Sequence, residues 1–338
     1  MVVSLLGSGC ATVSWYGQAV HGQLDLLCRR EPIVELINDR STDPDLRQRL
    51  VMVLEIREFA SEHLGLPDSR SYSHYADLER EAAVWNVIAA ERFEMSPRTW
   101  CYPIAGCLAY RGYFNRDRAI AYAERLERQG YDVAVSPAVA YSTLGWFADP
   151  VLNTMLAWDD ARLAGFIFHE LAHEKLFVRG DTMFNEAYAT VVEREGVRRW
   201  LNARQDHALL AEWERNAKLS AALVEILMKT RQALIELYAR EMAEAEMGRQ
   251  KAEVFEKMRT RIRRLGERHR TDRFSGWLAR DLNNAHLVLT ATYEAGTAVF
   301  ERLLVECDRN LACFHDRVGE LAVASDQKRR KFLREPTN

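Results

Sequence analysis

The sequence HELAH at residues 169–173 constrains this chain more than any other stretch. It lies in the run 159–177, which begins with two aspartates suited to cap a helix and contains no proline. Four helical positions bring His169 and His173 to one face, about one turn apart, so both imidazoles can bind the same metal ion. Glu170 lies one step round the helix, where its carboxylate can act as a general base without binding the ion.

A catalytic zinc site needs a third protein ligand, and the sequence offers two carboxylates. Glu186 lies in the sequence FNEAYA, on a helix predicted after Gly180. Glu193 follows seven residues later on the same helical face, as the partner of a ligand imidazole or as the rival third ligand. We predict that one Zn²⁺ ion is bound by the two histidines and Glu186, with Glu193 and Asn185 supporting these ligands.

Hydrolysis of a peptide also needs a hydrogen-bond donor for the developing oxyanion. The candidates are Tyr141, Tyr188, Tyr293 and His286, of which we select Tyr141 and Tyr293 as catalytic residues. Each residue is also suited to an ordinary core or surface position. The sequence YSTLGWF, which begins at Tyr141, predicts either an edge strand that pairs with an extended peptide or a strand and turn packed into the core.

The composition defines the broad class of protein. The chain has 338 residues, of which 48% are apolar and 28% charged, as is typical of a globular protein. Lysine and arginine total 46 against 49 acidic residues, and a formal charge of -3 gives no field that would attract a polyanion. We therefore predict no nucleic-acid partner. No apolar run reaches the roughly 18 residues that a transmembrane helix requires.

The pattern along the chain predicts an α+β fold that is predominantly α-helical, with a zincin-like metallopeptidase core, a small β layer and long C-terminal helices. Without an internal repeat or a flexible linker, residues 15–325 are predicted to form a single domain. Its predicted parts are a helical hairpin at 15–64 whose first helix spans 16–38 and whose second is capped by Asp43, an α+β part with short β-rich runs at 71–148, the helical part with HELAH at 149–200, and long helices at 203–325. A frayed, charged tail at 326–338 follows.

The N-terminal segment, residues 1–14, is similar to the end of a bacterial lipoprotein signal. A short apolar stretch and small residues precede Cys10, which would carry the lipid and become the mature N-terminus. This interpretation predicts a membrane-anchored lipoprotein in the cell envelope, facing the periplasm. The alternative is an ordinary flexible N-terminus with a chance cysteine.

The remaining cysteines are Cys28 and two pairs, each separated by six positions: Cys101 with Cys107, and Cys307 with Cys313. Neither pair has the CxxC spacing of a structural zinc site. In an oxidising compartment each pair can close a small loop, while buried free thiols are equally compatible with the sequence. A bridge between Cys307 and Cys313 requires that the two residues do not lie in one regular helix.

Four stretches together resemble the bacterial Putative aminopeptidase family, whose members are predicted zinc-dependent lipoproteins. They are AGCLAYRGYF, AYSTLGWFADPVLNTML, the pair HELAH and FNEAYA, and DLNNAHLVLTATYEAG. The resemblance covers nearly the whole chain. It implies a gluzincin-like peptidase in which His169, His173 and Glu186 bind the metal ion and Glu170 is the catalytic base.

Two classes of function follow. The first is a zinc metallopeptidase, an aminopeptidase, that cleaves peptide substrates in the envelope; an amidase acting on peptidoglycan stems would share its chemistry. The second is a non-catalytic, metal-containing envelope protein that binds partners as an assembly factor or chaperone. Glu170 favours the enzyme, because a binding protein does not need the one residue of the motif that does not bind the metal.

Overall fold

The computed structural model describes residues 6–102, 106–140, 148–289 and 296–333. Helices dominate, and the strands form small sheets of two or three strands. The prediction of a predominantly helical α+β fold is therefore confirmed. No helix within the described ranges is long and apolar enough to span a bilayer.

The helices are α1 Leu6–Cys28, α2 Ile33–Asn38, α3 Pro44–Leu64, α4 Arg116–Glu127, α5 Asn153–Leu156, α6 Asp160–Lys175, α7 Thr182–Ala203, α8 His207–Tyr238, α9 Glu244–His269, α10 Ser275–Leu278, α11 Thr297–Glu306, α12 Leu311–Ala322 and α13 Asp326–Leu333. The strands are β1 Glu31–Pro32, β2 His74–Ala76, β3 Val84–Ala90, β4 Trp100–Tyr102, β5 Gly106–Leu108, β6 Arg111–Tyr113, β7 Asp132–Ala138 and β8 Val151–Leu152.

The described residues form two compact units, each drawn from three stretches of the chain. The first unit comprises Met1–Val20, Val84–Ala138 and Glu214–Ala291; the second comprises His21–Ala83, Val139–Trp213 and Thr292–Asn338. This interleaving was not anticipated from the sequence, because contacts between distant stretches leave no local pattern. The single domain over 15–325 stays a prediction.

The first unit contains an antiparallel sheet in the order β6-β3-β7. Trp85 of β3 lies opposite Tyr113 on one side and Pro137 on the other. Helix α4 packs on this sheet and buries Ala119, Tyr122, Ala123 and Leu126. A second apolar core within the unit joins α8 and α9 through residues such as Leu234 and Met258. These elements correspond to the β-rich runs and long helices that the sequence predicts.

The second unit contains the HELAH sequence. It also contains a sheet in the order β1-β2-β8, helices α3, α6 and α7, and the last three helices. Asp43 caps α3 as predicted, because its side chain accepts hydrogen bonds from the backbone N–H groups of Asp45 and Leu46. The predicted helix over 16–38 is interrupted: α1 ends at Cys28, and Pro32 pairs with His74 before α2 begins.

Two disulfides are present among the described residues. Cys101 and Cys107 face each other across the β4–β5 hairpin, and Cys307 at the end of α11 is joined to Cys313 in the first turn of α12. The second pair thus spans two helices, which removes the geometric obstacle of a single helix. Of the cysteines whose side chains are described, Cys28 is free and exposed.

The start of the predicted charged tail is helical instead of frayed. Within α13, Arg329 contacts Asp181 at 2.9 Å, and the Phe332 ring lies 5.2 Å from that of Phe300. These contacts explain why a strongly charged sequence forms a helix here: one face has apolar and ionic partners in the second unit.

Candidate metal centre

Helices α6 and α7 carry the site, and each begins at a capping aspartate. Asp159 accepts a hydrogen bond from the backbone N–H of Arg162, and Asp181 accepts one from that of Phe184. The connection between the helices is held by Asn185, whose side-chain amide both accepts from the backbone N–H and donates to the carbonyl of Val178, each at 2.8 Å. The amide of Asn185 therefore fixes the turn immediately before Glu186.

Two glycines allow α6 and α7 to approach closely. A Cβ atom at Gly196 would lie 2.7 Å from Phe168 Cδ2 and 2.8 Å from Leu64 Cδ1. A Cβ atom at Gly165 would lie 3.2 Å from Val197 and 3.3 Å from Glu193 Cγ. Glycine in a helix interior normally costs stability, so its value here is the close contact it permits. These two positions were missed at the sequence level, although a glycine inside a helical pattern is the signal for them.

The side chains of His169, His173 and Glu186 converge. The two Nε2 atoms are 3.1 Å apart, Glu186 Oε2 lies 3.3 Å from His169 Nε2, and Glu186 Oε1 lies 3.6 Å from His173 Nε2. Ligand atoms at about 2.0 to 2.1 Å from a tetrahedral zinc ion are roughly 3.3 Å apart. The three residues therefore form a group that could hold a metal ion, with donor types and spacing that fit zinc.

Two members of this group are partly exposed to solvent. The side chain of His173 is 3% exposed, whereas those of His169 and Glu186 are 17% and 21% exposed. A catalytic metal site keeps a position for water or substrate, while a structural site is closed by protein ligands. A group in which two of the three side chains are partly exposed matches the first arrangement.

Glu193 lies behind the group. Its Oε2 is 3.0 Å from His169 Nδ1, on the opposite edge of the imidazole from Nε2. Because a carboxylate accepts hydrogen bonds, Nδ1 carries a proton, and Nε2 points towards His173 and Glu186. Glu193 thus orients His169, whereas Glu186 contacts both Nε2 atoms.

The carboxylates favour positive charge at this position. Burial lowers the pKa of His169, but hydrogen bonds with Glu186 and Glu193 outweigh burial and raise that pKa to about 10. Burial, and then the charge of His169, lowers the pKa of His173 to about 4. Burial raises the pKa of Glu186, yet its hydrogen bond with His169 and the two imidazole charges lower it overall.

A family model described as Putative aminopeptidase matches residues 14–333. The chain belongs to this family. Neither the search of curated proteins nor the search of solved structures gave a match. The name Putative aminopeptidase indicates a hydrolase with peptide substrates, and the matched region contains all three residues of the candidate metal-binding group.

Glu170 of this Putative aminopeptidase family member follows His169 directly in α6 and is half-buried. Its charge contributes to the raised pKa of His169, which places the carboxylate within electrostatic reach of the group. Glu170 is absent from the set whose ligand atoms converge. Glu186 therefore belongs to the converging group, whereas Glu170 lies beside it; the role of Glu170 stays a prediction.

Four further residues were predicted as candidate hydrogen-bond donors to the oxyanion. Tyr141 and Tyr293 lie outside the described residues, as does the predicted edge strand YSTLGWF. Tyr188 is buried, and its hydroxyl contacts His315 Nδ1 at 2.9 Å. Tyr188 is therefore part of the core packing between α7 and α12. His286 belongs to the first unit, where its Nδ1 lies 3.1 Å from the side-chain oxygen of Asn283.

Proposed function

We propose that this protein is a zinc-dependent aminopeptidase in which Glu170 is the general base. The single observation that carries the proposal is the convergence of two imidazole nitrogens and the Glu186 carboxylate, within a chain of the Putative aminopeptidase family. Imidazole and carboxylate ligands with a partly exposed fourth side are typical of catalytic zinc sites in peptidases.

His169, His173 and Glu186 would hold the ion. Bound there, zinc supplies Lewis-acid chemistry, which polarises a carbonyl group and lowers the pKa of water towards about 7. Glu193 keeps the proton of His169 on Nδ1, so that Nε2 is available as a donor atom. Asn185 fixes the start of α7 and with it the position of Glu186.

Glu170 is the proposed general base, which transfers the proton of the attacking water. As a half-buried carboxylate next to a ligand histidine, it can accept a proton from the attacking water and transfer it to the leaving amine. This role explains why a glutamate occupies the one polar position of HELAH that does not bind the ion. We assign oxyanion stabilisation to Tyr141 and Tyr293.

We further propose that the enzyme acts in the bacterial cell envelope, anchored by a lipid on Cys10 and facing the periplasm. The short apolar segment before Cys10 supports this location. The two disulfides agree with it, because disulfides persist in oxidising compartments such as the periplasm. Mass spectrometry of the protein extracted from bacterial membranes would detect a diacylglycerol on Cys10.

The decisive experiment measures zinc content and peptide hydrolysis on the same samples. Wild type is compared with His173→Ala, Glu170→Gln and, as a matched control, the exposed His63→Ala. Substrates are aminoacyl amides and internally quenched peptides. We expect about one zinc ion in wild type, His63→Ala and Glu170→Gln, little in His173→Ala, and cleavage by wild type and His63→Ala only.

Two outcomes would contradict the proposal. A wild-type protein that takes up no zinc would show that the three side chains pair with one another and do not bind metal. A protein that binds zinc but cleaves no peptide would favour the non-catalytic, metal-containing envelope binding protein. Cleavage of internally quenched peptides but not of aminoacyl amides would identify an endopeptidase instead of an aminopeptidase.

A further inference from the structure

Two large apolar side chains are exposed at the end of the α6–α7 pair where the chain turns. Phe177 follows α6 and is 48% exposed, and Met183 lies in the first turn of α7 and is 39% exposed. Single exposed apolar residues are common on protein surfaces. Phe177 contacts His173, and Met183 lies about one helical turn before Glu186, so both are related to the candidate metal-binding group.

Phe177 lies against His173. The two rings are 6.1 Å apart between centroids and are inclined at 81°, so an edge of one ring faces the other. The next residue, Val178, has both backbone polar groups hydrogen-bonded to the side chain of Asn185. Because that clamp joins the turn to α7, Phe177 is held next to His173 while nearly half of its surface remains open to solvent.

Met183 lies on the same face of α7 as Glu186, three residues earlier and thus about one turn away. A methionine side chain is flexible and polarizable, and it adapts to apolar ligands of different shape. Phe177 supplies a rigid aromatic surface, and Met183 supplies an adaptable one. Both residues adjoin the site of reaction under the proposed function.

We propose that Phe177 and Met183 bind a large apolar side chain of the substrate residue next to the scissile bond. This inference rests on the proposed function and deepens it: the preferred substrates are peptides with leucine, phenylalanine or methionine at that position. Burial of such a side chain against Phe177 removes apolar surface of both partners from water, which stabilises the complex. Alanine or glycine at the same position makes little of this contact.

The test compares wild type with Phe177→Ala, Met183→Ala and Phe177→Leu. Val323→Ala is the matched control, because Val323 is 89% exposed and lies at the end of α12. Two series of dipeptide amides vary one residue between leucine and alanine, before or after the scissile bond. We expect wild type to prefer leucine in one series, and Phe177→Ala to lower the leucine-to-alanine ratio of kcat/KM about tenfold. Met183→Ala should lower the ratio less, and Phe177→Leu should keep most of it.

Binding is measured separately in the Glu170→Gln background by calorimetry with the dipeptide amides Leu-Leu, Leu-Ala, Ala-Leu and Ala-Ala. Tighter binding of one leucine series that is lost with Phe177→Ala at unchanged zinc content supports the apolar subsite. If wild type at the same time cleaves no peptide, only the proposed function fails. An active, zinc-loaded Phe177→Ala variant with the wild-type leucine-to-alanine ratio overturns the inference and leaves the proposed function intact. Absence of both cleavage and leucine-dependent binding overturns both.

Discussion

Glu193 Oε2 lies 3.0 Å from His169 Nδ1, so a carboxylate of α7 binds the ring nitrogen of His169 that does not face Glu186. The contact joins residues on different helices and leaves His169 Nε2 directed at His173 Nε2, 3.1 Å away. The hydrogen-bond partner of His169 Nδ1 is thereby decided by tertiary structure. A ligand histidine without such a partner is poorly oriented and less basic.

Replacement of Glu193 by glutamine is expected to weaken zinc binding about 10- to 100-fold without abolishing it. The neutral amide accepts a weaker hydrogen bond from His169 and no longer contributes negative charge. Competition with a chromophoric chelator at constant pH measures the affinity. Glu301→Gln is the matched control, because Glu301 pairs with Arg194 and is half-exposed; equal losses in both variants would show a nonspecific charge effect.

Gly196→Ala should destabilise the fold although alanine is the better helix former. The new methyl group would meet Phe168 and Leu64 at less than 3 Å, and overpacking of this kind costs about 1–3 kcal/mol. Urea denaturation gives the free energy of unfolding. Gly319→Ala provides the comparison, because no atom lies within 4 Å of its added Cβ; there we expect a gain of roughly 0.5–1 kcal/mol. A gain at both positions would show that α6 and α7 separate without penalty.

His315 is buried between α12 and the rest of the second unit. Its Nε2 lies 2.9 Å from the carbonyl oxygen of Leu64, and a carbonyl only accepts, so Nε2 carries the proton. In the neutral ring Nδ1 then accepts from the Tyr188 hydroxyl at 2.9 Å. Burial, reinforced by the charge of Lys175, lowers the pKa of His315 from 6.5 to about 4, against the opposing effects of the Leu64 hydrogen bond and Asp316.

Because His315 is neutral in the folded protein, we predict that the free energy of unfolding decreases in acid. Between pH 6.5 and about 4 the unfolded chain binds a proton at His315 that the folded chain does not, so the free energy of unfolding decreases as pH falls through that window. The contribution is at most roughly 3 kcal/mol. Urea denaturation at pH 7, 6, 5 and 4 should give a shallower pH dependence for His315→Gln than for wild type. An unchanged slope would contradict the lowered pKa; His63→Gln is the exposed control.

Removal of the second disulfide, by Cys307→Ser with Cys313→Ser, should cost about 2 kcal/mol of stability, as expected for a short closed loop. The bridged turn contains Arg309, which has a positive φ of 56° and contacts the buried Glu195 at 2.9 Å. Loss of the bridge frees this turn and weakens the ion pair. Thermal and urea unfolding measure the effect, with free-thiol counting to verify the oxidation state.

Cys28→Ser is the control for that comparison, because Cys28 is exposed and unbridged. Its stability should change by less than about 0.5 kcal/mol. A disulfide variant as stable as the control would mean that α11 and α12 hold the turn without the covalent link.

Local sequence patterns predicted many elements correctly. The cap at Asp43, the β-rich runs around β3 and β7, and the two helices that carry HELAH and Glu186 all follow from short-range rules. The helix predicted over 16–38 was wrong at its centre, because β1 forms there by pairing with His74, a residue distant in sequence. Likewise α13 depends on Arg329 reaching Asp181, which no local pattern encodes.

The sequence by itself determined that His169 and His173 share a helical face, because helix periodicity is a property of the local backbone. Only the tertiary structure decided which carboxylate meets both histidines. Glu186 and Glu193 are equivalent by helical spacing, but the close approach of α7 to α6 at Gly165 and Gly196 brings Glu186 to the two Nε2 atoms and Glu193 to Nδ1. Helix packing, which depends on side chains far apart in the chain, sets that assignment.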